Sequence, residues 1–348
     1  MLGIDWQKTA IALAAGFGGA LVATWLELPA GNLLGSTFAV TVVAMLGLRP
    51  AVPALLRDIG FCVIAVSLGS GVTPDILSEL ARWPLSLAML ALAVLAVMIV
   101  CGLILRRIFG ADAPAALLAT APGALSYTLA LADDRGVDVR FVMVLQSLRL
   151  LLITMLLPPL VGYAEGGTDI ARLSGALHVG YGAGAILLAA TFVLGTLMTR
   201  LRAPAPFIMA GLVLSGFAHG TGLVSGRLAD PVTFFGFTII GTVIGARFAG
   251  ISRAELKRLG IAGIVSTSVA VSISMACAWA VSRMLSLPFG QVWVSFAPGG
   301  VEGMSSMALA LGYDPVYVAV HHVFRILLLI MILPLLIGFV GKRLIKNR

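Results

Sequence analysis

Apolar stretches of about twenty residues, parted by short polar joints, run the length of the chain, a pattern that predicts membrane-crossing helices. In the first half they fall at about 8–26, 32–48, 56–72, 83–105, 114–132 and 141–163. In the second half they fall at about 174–199, 206–225, 232–248, 259–282, 289–311 and 317–340. The joints carry helix-stopping chemistry, as at Glu27 with Pro29, Arg49-Pro50 and Thr73-Pro74-Asp75. The fourth stretch is the most uniformly aliphatic and should face lipid over much of its surface. The fifth is different: Pro114 opens it, Pro122-Gly123 interrupts it, and Ser126, Tyr127 and Thr128 follow the interruption. Such a segment makes a poor lipid-facing helix, because backbone groups freed at membrane depth need protein or water as partners.

The pattern occurs twice. Adding 176 places Pro122 on Pro298, Gly123 on Gly299, Asp138 on Asp314, Arg149 on Arg325 and Pro158 on Pro334, with no gap. The same offset pairs Gly19 with Gly195, Gly35 with Gly211, Gly69 with Gly245 and Cys101 with Cys277. A fixed offset over this distance is the mark of a duplication, and it divides the chain into membrane repeats at 1–172 and 173–348.

Basic residues then bear on topology. If all twelve segments cross, giving parallel repeats, Lys and Arg divide 12 to 9 between the two sides. If segments 114–132 and 289–311 instead dip in and return, the division is 17 to 4, with Arg149 and Arg325 completing the 23. The second arrangement fits a positive-inside protein with both termini in the cytoplasm. It is an all-α polytopic membrane protein of two inverted repeats, each with five transmembrane helices and one re-entrant broken segment. The two breaks would then enter from opposite faces and meet near the midplane, the layout of many secondary transporters.

Composition narrows the class. Sixty per cent of residues are hydrophobic and 11% charged, and mean hydropathy is +1.07, outside the soluble globular range. The net charge of +8 does not point to nucleic acid, because the basic residues are scattered through short loops. Cys62, Cys101 and Cys277 lie in apolar runs without ligand spacing and read as packing residues. Asp5 and Lys8 lead directly into the first apolar run, which reads as a span and not as a cleaved signal.

Candidate chemistry centres on the breaks and the sixth segments. An arginine buried at the depth of Arg149 and Arg325 must face protein or water. It either grips an anionic group or serves structurally, capping the carbonyls of a broken segment. Pro122, Gly123, Pro298, Gly299 and Gly300 free backbone groups at half-helix ends suited to ions. Ser126, Tyr127, Thr128, Ser305 and Ser306 would line the cavity, and Glu302 is the candidate for coupling to a proton or cation. Gln146 and its counterpart His322 sit one turn before each arginine and would form a polar wall. Asp138 and Asp314 read as helix caps. The adjacent His321 and His322 point about 100° apart on a helix and do not chelate a metal from one face.

The two Ala-Pro-Gly blocks and their following arginines resemble those of the bacterial membrane family called AbrB-like. Members share an internal duplication and carry labels such as ammonia monooxygenase or transcriptional regulator. The resemblance covers nearly the whole chain, with Pro298-Gly299-Gly300 and Arg325 its most specific part; Ala124 stands where the second copy has Gly300. It implies an inner-membrane protein. The expected activity, argued from repeat and topology, is secondary transport or export of a small anionic or zwitterionic metabolite, one helix bundle moving against another. No cofactor and no enzymatic step are expected, and a homodimer is the expected assembly. The rival readings are a membrane regulatory or signalling protein without transport, and a membrane oxidoreductase.

Overall fold

The computed structural model describes residues 5–28, 30–70, 72, 83–123, 125–164, 178–201, 203 and 205–346, apart from the side chains at 126, 130, 253, 302 and 339–346. The described residues form fourteen helices. Seven belong to the first half: α1 (Trp6–Trp25), α2 (Gly31–Met45), α3 (Ala54–Gly69), α4 (Trp83–Arg107), α5 (Ala113–Thr120), α6 (Leu125–Asp134) and α7 (Val139–Ala164). The other seven repeat the order: α8 (Tyr181–Arg200), α9 (Pro206–Gly220), α10 (Asp230–Ala246), α11 (Arg253–Leu285), α12 (Phe289–Phe296), α13 (Val301–Ala310) and α14 (Pro315–Lys346). From α5 to the start of α7 the boundaries recur at the offset of 176 without error, so the duplication extends to the helix breaks.

Six of these helices are long and apolar enough to cross a membrane: α1, α4, α7 and their counterparts α8, α11 and α14. The protein is a multi-pass membrane protein. Helices α2, α3, α9 and α10 have 15, 16, 15 and 17 residues, or about 22–26 Å at 1.5 Å per residue, against an apolar core of about 30 Å.

Local chemistry sets the ends. Asp138 accepts from the backbone N–H of Arg140 (3.0 Å) and Phe141 (3.1 Å). Asp314 does the same for Val316 (2.8 Å) and Tyr317 (3.2 Å), so both act as the expected caps. Helix α11 starts at Arg253, about one and a half turns before its apolar run, because Ser252 and Glu255 form a reciprocal capping box. Pro158, Pro159 and Pro334 lie inside α7 and α14 and do not end them.

By packing, the chain divides into two compact units, and each draws pieces from both copies. The first comprises Met1–Arg82, Thr154–Gly250 and Val301–Val320. Here α1 packs on α2, as α8 does on α9. Between copies, α2 packs on α10 while α9 packs on α3, and α1 meets α10 while α8 meets α3. Swapping the copies maps each of these pairs onto the other, the behaviour of an internal pseudo-two-fold relation. Small residues allow the approach: a Cβ on Gly241 would stand 2.6 Å from the Leu33 carbonyl, and one on Gly69 2.7 Å from the Gly216 nitrogen.

The second unit comprises Trp83–Ile153, Ile251–Gly300 and His321–Arg348. Its axis is the pair α4 and α11, packed through Val97, Cys101 and Ala270. Each of these helices also carries the short helix that follows it, α5 on α4 and α12 on α11.

Gly245 generates a test of the close packing. A Cβ there would meet the Thr37 carbonyl at 2.7 Å and Val40 Cβ at 2.8 Å. Gly245→Ala should therefore destabilise the detergent-purified protein by about 1–3 kcal/mol, read as a lower melting temperature. Gly18→Ala, where nothing lies within 4 Å, should be neutral or stabilise by up to about 1 kcal/mol.

Candidate functional site

Proline makes each break. Ala121, before Pro122, is forced to extended backbone with ψ 118°, and Ala297, before Pro298, has ψ 135°. Gly123 then takes φ +85°, a conformation that suits glycine. The helix on the N-terminal side of each break thus ends inside the protein with its last carbonyls unpaired, which is costly unless a donor reaches them.

The arginines are those donors. Arg149 on α7 is 6% exposed. Its Nη1 donates to the carbonyls of Ala119 (3.2 Å) and Thr120 (3.1 Å), and its Nη2 to Ala121 (2.9 Å). Arg325 on α14, 1% exposed, donates to Ala297 (2.6 Å) and Gly299. A cation at a helix C-terminus also answers the negative end of the helix dipole. Among the described residues, no carboxylate lies within ion-pair distance of Arg149. The carbonyl fan of α5 takes that place.

The residues one turn earlier extend the pattern. Gln146 Nε2 donates to the Leu118 carbonyl (2.8 Å) and to Thr128 Oγ1 (2.8 Å). Its counterpart His322 bonds through Nε2 to Val294 O (3.0 Å), which sits at Leu118 plus 176. A carbonyl only accepts, so Nε2 carries the proton and Nδ1 is left to accept from Arg325 Nη2. His322 and Gln146 therefore hold the short helices and orient the caps. Both are buried.

The two breaks come together. A Cβ on Gly123 would stand 2.8 Å from Arg325 Nη2 and 3.2 Å from the Gly299 carbonyl. Tyr127 on α6 reaches the other copy as well, its hydroxyl donating to the Ile330 carbonyl at 3.3 Å. The second unit thus gathers Pro122, Gly123, Tyr127, Thr128, Gln146, Arg149, Pro298, Gly299, Gly300, His322 and Arg325. Ser305 and Ser306 are buried on α13, which packs on α2, α3 and α10 of the first unit. The side chains of Ser126 and Glu302 lie outside the described residues.

His321 diverges from its neighbour, as the helix turn requires. It bonds Ser86 Oγ at 2.7 Å and lies against Trp83 and Phe296. Sequence reading gave Ser86 no role, because its partner is 235 residues away. The carbonyl targets of Arg149 were equally hidden, since backbone acceptors leave no mark in residue types. Among the described residues, no three His, Cys, Asp or Glu gather where a metal would sit.

Arg149→Met should leave three buried carbonyls without donors, at about 1–3 kcal/mol for each that finds no substitute. The melting temperature should fall clearly, with Arg149→Lys intermediate because one ammonium does not span the three-carbonyl fan. Arg49→Met, at an exposed position, should melt like the parent. An unchanged melting temperature for Arg149→Met would mean that the cap is dispensable.

The chain is 26% identical to an uncharacterised Bacillus subtilis protein, YhjN, over 93% of its own length and 90% of that protein's. It is 23% identical to an Escherichia coli protein named "Putative regulator AbrB", covering 91% of each. The family pattern described as transition state regulatory protein AbrB matches residues 32–341, nearly the full length, and the chain belongs to that AbrB family.

Proposed function

We propose that this chain is a secondary transporter or exporter of a small anionic or zwitterionic metabolite across the bacterial inner membrane. One observation carries the reading: the break of one copy lies against that of the other, Gly123 beside the Gly299 carbonyl and the Arg325 guanidinium. Discontinuous helices that meet in this way recur in secondary transporters, where they expose backbone groups to a substrate.

The proposed topology has repeats at 1–172 and 173–348, each with five spans and one re-entrant segment, the second repeat inverted, and both termini cytoplasmic. The matched exchange of helix pairs in the first unit supports an internal two-fold. A cavity of about 570 Å³ supports re-entry, because Arg106 and Arg107 before the first broken segment and Arg135 after it line the same walls. Residues on opposite faces of a membrane about 30 Å thick do not share a cavity of that size.

In this reading the N-terminal N–H groups of α6, freed by the first break, face the substrate's negative end. Arg149 commits three of its five N–H donors to holding the break. The field of both guanidiniums reaches the substrate through the loops they pin. Ser126, Thr128, Tyr127, Ser305 and Ser306 supply polar lining, and Glu302 couples movement to a proton or cation. The assembly proposed is a homodimer.

The comparisons favour a second reading, a membrane-embedded regulatory protein without transport. The Escherichia coli relative and the family description both speak of regulation. Arginines spent on backbone carbonyls suit such a protein equally well.

Counterflow in proteoliposomes, with amino acids, small carboxylates, phosphates and ammonium, separates the two readings. Transport predicts saturable exchange of at least one compound, abolished in Gly123→Val. No exchange across the panel, with no thermal stabilisation by any compound, would favour the regulatory reading. The topology has its own test in a background without cysteines. Ile108→Cys and Asp134→Cys should react with a membrane-impermeant maleimide from the cytoplasmic side, and Met284→Cys and Tyr313→Cys from the other. Labelling of 108 and 134 from opposite sides would overturn re-entry.

A further inference from the structure

The cavity at the end of α4 has chemistry of its own. Leu103, Arg106 and Arg107 come from the last turns of α4, Ala111–Ala115 from the start of α5, and Arg135–Asp138 from the joint between α6 and α7. Three arginines thus face two aspartates across about 570 Å³, a volume within the range of small-molecule sites. The aspartates are not equivalent. Asp138 is committed to the α7 backbone as its cap. Asp112 occupies the N-cap position of α5 with no side-chain capping bond. Among the described residues, Arg135 has one loose ion pair, with Asp134 at 3.7 Å. Among the described residues, no salt bridge engages Arg106 or Arg107.

The position of the cavity says which anion suits it. Arg106 and Arg107 end a 25-residue apolar helix, where hydrocarbon gives way to headgroups. Leu92, Ile99 and Leu103 are exposed on α4 at spacings of seven and four, which places them on one face that runs down to the cavity. Ile108, just past the helix, is exposed too. An apolar stripe leading into an arginine-lined recess matches a molecule with an acyl tail and an anionic phosphate head. We propose that this cavity is a binding site for an acidic phospholipid, its phosphate held by Arg106, Arg107 and Arg135 and a tail laid along the α4 stripe. Guanidinium pairs with phosphate oxygens through two parallel N–H donors, which a zwitterionic lipid exploits less well because its own ammonium competes.

The test is native mass spectrometry of the full chain in detergent, titrated separately with phosphatidylglycerol, phosphatidylcholine and inorganic phosphate. The parent should retain phosphatidylglycerol in preference to phosphatidylcholine. R106Q, R107Q and R135Q should each weaken that binding about fivefold, and the triple variant should abolish the preference. R106K/R107K/R135K, which keeps the charge, should retain part of it, and R49Q should behave like the parent. Equal retention of the two lipids, or a triple glutamine variant that binds phosphatidylglycerol like the parent while melting normally, overturns the proposal. Binding of inorganic phosphate with no retention of phosphatidylglycerol overturns the lipid assignment. If the triple glutamine variant fails to fold, the three single variants and the lysine triple decide the matter.

Discussion

A helix that ends inside a membrane protein must find donors for its last carbonyls, and here a buried guanidinium supplies them. Arg149 takes the carbonyls of residues 119–121, and Arg325 takes those of Ala297 and Gly299. Without such donors the Pro-Gly breaks would leave several peptide groups unsatisfied in an apolar interior, at a cost of kilocalories each. The reverse also holds: the carbonyl fan gives each charge a negative environment at membrane depth. Break and arginine each make the other tolerable, and the duplication kept both.

The same reciprocity organises the larger structure. Each compact unit is assembled from parts of both copies, and in the first unit the helix pairs exchange when the copies are swapped. Glycine at the contacts, as at Gly241 and Gly245, lets backbones approach where side chains would hold them apart. The second unit concentrates the breaks, the two arginines and their helpers Gln146 and His322, with Gly123 of one copy set against Gly299 of the other. The AbrB family match spans both copies, from residue 32 to residue 341.

Much of this was legible in the sequence, for physical reasons. Apolar period and Pro-Gly punctuation located the helices and the breaks, and a fixed offset of 176 revealed the copies. Aspartates before apolar runs marked the caps of α7 and α14. Other features left no signature. The capping box that starts α11 early lies in a polar stretch that looked like a joint. Helix α7 runs through the prolines at 158 and 159, as membrane helices can when neighbours satisfy the freed groups. The partners of Arg149 and Arg325 are backbone atoms, so sequence left open whether these residues grip an anion or a carbonyl fan. The hydrogen bonds favour the fan. The meeting of Ser86 with His321 and the gathering of Arg106, Arg107 and Arg135 are tertiary facts, invisible to local pattern.

The central claim is that the Pro-Gly breaks of the two copies face each other within one helical unit. Site-specific photo-crosslinking tests it most directly. A benzoylphenylalanine replacing Tyr127, whose hydroxyl meets the Ile330 carbonyl, should crosslink on irradiation to α14 of the same chain. Peptide mapping should place the adduct near residue 330. Adducts confined to residues of the first copy, or to lipid, would contradict the account.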